Sequence, residues 1–171
     1  MRHGLITQTM PKTVSCGVLL ITEDLEVFLA HSTGTRHWDV LKGQAEAGEK
    51  PLAAALREAR EEAGLDLSAI EFEDLGVLDY RPNKLLHLFA ARVTKASVAP
   101  AQCVCTSFFV DERTGARRPE MDRFAWTPMA NIAQFCGPSL RRVLEEQFAA
   151  GLADRLALQT PRTQLSVRAQ A

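Results

Sequence analysis

No stretch of the 171-residue chain approaches the roughly 18 consecutive apolar residues of a membrane-spanning helix. The opening MRHGLITQTMPKTVSCGVLL carries basic residues, but its apolar run starts late and reads as a strand, not a signal peptide. Charge of one sign is also missing. Twenty Lys plus Arg against twenty-one Asp plus Glu leave a net charge of -1, so no chain-wide grip on nucleic acid or an anionic membrane is expected. The four cysteines, Cys16, Cys103, Cys105 and Cys136, form no C-x-x-C pair and have no histidine at ligand spacing, which argues against a zinc site. They read as buried thiols of a reducing cytosol, and the protein is expected to be cytoplasmic. There is no internal repeat and no low-complexity segment, and no feature specifies an oligomeric state. What is present is ordinary: 46% hydrophobic and 24% charged residues, enough for one well-filled core.

The pattern of elements is mixed. Val14–Ile21 and Leu25–His31 suggest a hairpin, and His37–Leu41 a short strand running into Gly43. Pro51–Ala63 is the best helix, with proline suited to the first turn and Gly64 to a left-handed stop. Leu52, Leu56, Ala59 and Ala63 form its apolar stripe, and Glu58, Glu61 and Glu62 are expected on the opposite side. Leu75–Tyr80, Leu85–Val93 and Val104–Val110 read as strands, with a turn at Pro82-Asn83. A charged loop over Asp111–Asp122 precedes a short strand at Phe124–Trp126, and Pro138–Phe148 is a closing amphipathic helix. This order predicts an α/β domain over 13–150 with a mixed sheet between helices. An arm over 1–12 and a tail over 151–171, the latter expected to be disordered, lie outside it.

The chemistry concentrates in GQAEAGEKPLAAALREAREEAGL, residues 43–65. Glu58 and Glu62 are four apart, so on a helix they repel by a few tenths of a kcal/mol, roughly. Arg57 stands before Glu61 in the less favourable order of charges. A solvated helix face is the plain explanation. Against it, Gly43 and Glu49 precede the helix at fixed distances. The stretch runs Gly43, five residues, Glu49, seven residues, Arg57-Glu58-Ala59, one residue, Glu61-Glu62, one residue, Gly64-Leu65. At ordinary residue frequencies such a set of matches arises by chance less than about once in a million windows.

The stretch resembles the Nudix box, the signature of the Nudix hydrolases. The resemblance implies an α/β/α sandwich around a mixed sheet, and metal-assisted hydrolysis of a diphosphate linkage. By it Glu58 and Glu62 are the principal metal ligands, Glu61 a further ligand or the base, Glu49 a ligand or its support, and Gly43 a backbone approach to the metal. Arg57 would orient a glutamate through a charge-assisted hydrogen bond. Crowded hard oxygens suit Mg²⁺, or Mn²⁺. Glu120, in RRPEMDRFAW, is similar to a loop glutamate that acts as base in several subfamilies, and an exposed loop charge is the equal alternative.

The approach HWDVLKGQAEAGE resembles that of dinucleoside polyphosphate hydrolases and their bacterial relatives, with Leu41 in place of the usual proline. Lys42 would then contact phosphate, as would Lys84. Trp38, Tyr80, Phe108 and Phe109 are candidate plates for a base, though strand aromatics are more often core. Arg113, Arg117 and Arg118 are candidate contacts to further phosphates, with a solvated loop as the alternative. Tyr80 points by a family rule to dinucleoside polyphosphates and Pro82 to ADP-ribose, so the rule does not decide. The expected substrate is a small nucleotide, first a dinucleoside polyphosphate, with ADP-ribose or another nucleotide sugar as the alternative. Triphosphorylated RNA ends stay open, as does a non-catalytic nucleotide sensor, against which the complete set of carboxylates argues.

Overall fold

The computed structural model describes residues 11–159 and 166–167, so most of the arm expected over 1–12 lies outside the described residues. Strand β1 (Thr13–Ile21) turns into β2 (Glu26–Ser32), the expected hairpin. The two pair only near their turn, at Ile21 opposite Val27, and then diverge. Two short strands fill the gap: β3 (Trp38–Asp39) pairs with β2, and β4 (Leu41–Gln44) with β1. The diverging backbones would otherwise leave buried donors and acceptors unmatched. The single strand expected over His37–Leu41 is therefore two pieces, broken at Val40 because each half serves a different neighbour.

Helix α1 (Pro51–Ala63) follows, then β5 (Leu65–Asp66), β6 (Glu73–Arg81) and β7 (Lys84–Arg92). The charged loop holds a small ribbon, β8 (Phe108–Val110) and β9 (Arg117–Pro119), before β10 (Met121–Pro128). A short helix α2 (Ile132–Phe135), α3 (Pro138–Ala149) and α4 (Leu152–Ala157) come last, and β11 (Ser166–Val167) pairs back on β5. The main sheet runs β10-β2-β1-β7-β6, with β1 parallel to β7 along its whole length and its other neighbours antiparallel. Alternation along β1 sends Cys16, Val18 and Leu20 to one face with α1, and Leu19 and Ile21 to the other with α3 and α4. The result is the expected α/β/α sandwich. Among the described residues no helix is long and apolar enough to cross a membrane.

Three local expectations are corrected. The buried face of α1 is Ala54, Ala55, Ala59, Glu62 and Ala63, while Leu52 is 37% exposed. Small alanines let the helix sit close on the sheet, and Glu62 goes inward with them instead of lying opposite the stripe. Residues 104–107 form no strand, because their backbone donors are committed to the helix end: Val104 N donates to Ala63 O at 3.1 Å and Thr106 N to Glu61 O at 2.7 Å. Those carbonyls have no partner inside the helix. The tail expected to be loose from 151 is helical over Leu152–Ala157, with Leu152 and Leu156 buried against the α3 side.

Gly64 ends α1 with φ 72, its N–H reaching Ala59 O and Arg60 O. A side chain there is strained by that conformation, and its Cβ would also meet Val104 O at 3.3 Å. Gly64→Ala is expected to cost about 1 kcal/mol, read as a lower urea midpoint at unchanged slope. No change in midpoint would contradict this account of the helix stop.

Candidate active site

The divergence of β1 from β2 places β4 beside α1, and three contacts define the site there. The first is steric. Gly43 lies so close under the Glu58 carboxylate that a Cβ would overlap Cδ and both carboxylate oxygens. The second is a backbone bond: Lys42 N–H donates to Glu62 Oε2 at 2.8 Å. Glu62 is only 2% exposed, and burial, partly offset by Lys42, pushes its carboxyl up to about 8. Burial also raises the Glu58 carboxyl, opposed by Arg57 and reinforced by the charges of Glu61 and Glu120. Glu120 is exposed at the bend between β9 and β10.

Arg57 is the third element. Its Nε and Nη2 donate to the two oxygens of Glu49 at 3.0 Å each, a bidentate fork. Nη1 reaches Glu58 Oε1 at 2.8 Å and Glu61 Oε2 at 3.1 Å, and Nη2 also donates to Gln44 O at 2.9 Å. One guanidinium thus ties the end of β4 and the loop after it, at Gln44 and Glu49, to Glu58 and Glu61 on the helix. It keeps the Glu49 carboxyl below the usual range, helped by the Glu46 N–H. Glu61 is anchored by its carbonyl, which takes N–H bonds from Thr106 and Ser107 at 2.7 and 3.2 Å.

Alternation along β4 sends Lys42 to the opposite face from Gly43. There its Nζ pairs with Asp39 Oδ2 at 2.7 Å, and the Tyr80 hydroxyl donates to the same oxygen at 2.9 Å. Trp38, Asp39, Tyr80 and Arg81 line one cavity of about 230 Å³, closed by the start of α3 at Pro138–Leu140. Two of the four aromatic candidates, Trp38 and Tyr80, are therefore neighbours, with Tyr80 a core residue at 3% exposure, and Pro82 sits exposed at the turn between β6 and β7. Lys84 opens β7, and its ammonium is pushed down by burial and then by the cations Lys42 and Arg81. Asp39 and Arg81 were missed. The Asp39–Lys42 spacing was visible in HWDVLKG, but that both face one tyrosine depends on a strand 41 residues away.

Among the described residues no three His, Cys, Asp or Glu side chains are gathered as a ready metal cage. The donors nevertheless suit a hard divalent cation. Glu58 and Glu62 are carboxylates held by burial in an environment that disfavours their charge. Gly43 leaves open the space that a side chain would take from Glu58. Oxygen donors without nitrogen or sulfur match Mg²⁺ or Mn²⁺.

A family model described as NUDIX domain matches residues 11–146. The chain is 36% identical over 146 residues to an uncharacterized 17.7 kDa protein from the e-segB intergenic region of Enterobacteria phage T4, covering 80% of this chain and 96% of that one. It is 29% identical over 142 residues to an RNA pyrophosphohydrolase of Marinomonas sp. strain MWYL1, covering 76% and 86%. Among solved structures, a C. elegans Ap4A hydrolase binary complex superposes with a TM-score of 0.59 at 19% identity, over 82% of this chain and 98% of that one. The box at 43–65, the split sheet that carries it and the family match agree: the chain belongs to the NUDIX domain family and is a Nudix hydrolase.

Proposed function

We propose that the protein hydrolyses a phosphoanhydride bond of a dinucleoside polyphosphate, with Mg²⁺ (or Mn²⁺) held by Glu58 and Glu62. The observation that carries this is the pairing of two unlike surfaces at one strand. On one side of β4 lie the crowded carboxylates, and on the other Lys42 and Arg81 flank the Tyr80 ring, with Arg81 and Trp38 lining a cavity. The first surface suits a cation, and the second suits the phosphates and base of a nucleotide.

Glu58 and Glu62 would be the principal ligands, with Glu61, Glu49 and the Gly43 carbonyl as further oxygens. When bound, the ion supplies positive charge against the diphosphate oxygens. The protein's own groups do the rest. Arg57 fixes the directions of Glu49, Glu58 and Glu61 through its shared hydrogen bonds. Lys84 and Arg81 offer cations to the phosphates not being cleaved, and Lys42 does so from its Asp39 pair. Glu120 or Glu61 takes the proton of the attacking water.

The cavity is smaller than the roughly 300–1,000 Å³ usual for small-molecule sites. Tyr80 is itself 3% exposed beneath Arg81, so the surface left for a base is that of Trp38 and Arg81. Tyr80 and Pro82 line one neighbouring cavity together, so the choice of the dinucleoside polyphosphate rests on the resemblance of HWDVLKGQAEAGE. A second reading is a 5′-triphosphorylated RNA end, supported by the likeness to RNA pyrophosphohydrolases. The test is turnover with Mg²⁺ across diadenosine tetraphosphate, a 5′-triphosphorylated oligoribonucleotide, ADP-ribose and nucleoside triphosphates, with products identified. Preferred cleavage of the diadenosine compound is expected. Preference for the oligonucleotide transfers the site to RNA, and turnover of none by folded protein overturns the hydrolytic reading of these substrates.

A further inference from the structure

The ribbon β8–β9 has an unusual surface for two short strands beside an active site. Phe108 and Val110 are 43% and 63% exposed, and Phe109 is 37% exposed. The ribbon hydrogen-bonds to no other strand among the described residues. Its register puts Phe108 opposite Pro119 and Val110 opposite Arg117, so these four share one face. On that face the Arg117 guanidinium lies 4.1 Å from the centre of the Phe108 ring. Among the described residues Arg117 is in no salt bridge, whereas Arg118, on the other face, is tied to Asp111 at 3.2 Å. The outward face therefore combines a half-exposed ring, an arginine laid on that ring with no carboxylate partner among the described residues, and an apolar edge.

The base of the ribbon is fixed to the catalytic groups. Glu120 N donates to Ser107 O at 3.0 Å, Thr33 N to Glu120 O at 2.9 Å, and Thr106 and Ser107 both donate to Glu61 O. Phe108 stands one residue beyond that closure, about 3.3 Å along the strand. A root hydrogen-bonded to the Glu61 carbonyl and to Glu120 holds the exposed ring a few residues from both.

We infer that this outward face, Phe108 with Arg117 laid over it and Val110 beside it, is a stacking platform for the base of the substrate's second nucleoside. The inference rests on the dinucleoside polyphosphate reading. That substrate has two bases, and the cavity of about 230 Å³ beside Trp38 is too small for both. An aromatic face with an arginine is the surface on which a base stacks whatever its identity. The free charge of Arg117 complements the polyphosphate chain leading to that base. A membrane or protein partner would use the apolar residues but would leave the arginine without a counter-charge.

The test compares binding of diadenosine tetraphosphate with that of ATP, which lacks the second nucleoside. Calorimetry is run in a Glu62→Gln background, where turnover is suppressed, with and without Phe108→Ala and, separately, Arg117→Ala. Each added substitution is expected to reduce the preference for the dinucleoside over ATP by about fivefold or more. Circular dichroism confirms that each variant is folded. An unchanged preference overturns the platform, as does an equal loss for both ligands. Size-exclusion chromatography showing a dimer that Phe108→Ala splits would assign the face to a second copy instead, and also overturns it. If the wild type cleaves neither ligand, the hydrolytic reading fails on its own, and the two affinities still decide the platform.

Discussion

Glu62→Gln is expected to lower turnover at least a thousandfold, roughly 4 kcal/mol of lost transition-state stabilisation, while leaving the metal-free protein more stable above neutral pH. The two effects come from the same burial. Glu62 lies among alanines on the inner face of α1, and its one described hydrogen bond is from the Lys42 N–H. Its carboxyl is pushed up to about 8 in the folded protein, against about 4.3 in an unfolded chain. Between those values the folded state holds a proton that the unfolded state has released. Stability from this group therefore falls as pH rises from about 4 to about 8, and is level above that. The penalty is on the order of a few kcal/mol. Glutamine removes it while keeping an oxygen for Lys42 N–H. The measurement is urea unfolding of chelator-treated protein at pH 5 and pH 9. The variant should match the wild type at pH 5 and exceed it at pH 9. A variant less stable at pH 9 would show that the negative charge is already compensated without an ion.

Gly43→Ala is expected to lose about a hundredfold in turnover with little loss of fold. Gly43 is in the middle of a paired strand, and a methyl group there would occupy the space of the Glu58 carboxylate. The flexible carboxylate would move, not the strand. Once moved, Glu58 loses its alignment with Arg57 Nη1 and with the space above Gly43. A misplacement of about 1 Å is enough for a hundredfold loss. Steady-state kinetics with an unfolding curve on the same sample checks it. Normal activity would mean that Glu58 need not lie against β4, and would remove the steric reason for glycine at this position.

Much of this site was legible because its spacing is local. Thirteen residues of helix, a proline at its start and a glycine at its end fix α1, and the charged positions follow from it. Arg57 as the residue that organises Glu58 was likewise within reach, since both lie on one helix. The direction of Glu62 was not. A helical wheel weights leucines above alanines, so it placed Leu52 inside and Glu62 outside. Packing decided otherwise: alanines line the face of α1 that meets the sheet, and a backbone N–H there awaits the carboxylate. The Asp39–Lys42–Tyr80 cluster was illegible for another reason: it joins β3, β4 and β6, which come together only through the split of the sheet. Residues 104–107 were misread because β-forming side chains do not reveal that the backbone is needed by a helix end. Phe108 and Phe109 were weighed as core, and the structure exposes both.

The central claim is that these carboxylates hold a divalent cation, and Mn²⁺ titration followed by electron paramagnetic resonance tests it most directly. Chelator-treated wild type should bind Mn²⁺ with an affinity that Mg²⁺ competes away, and Glu58→Gln and Glu62→Gln should each weaken binding at least tenfold. Binding that is absent from the folded wild type, or unchanged in both variants, would contradict the account.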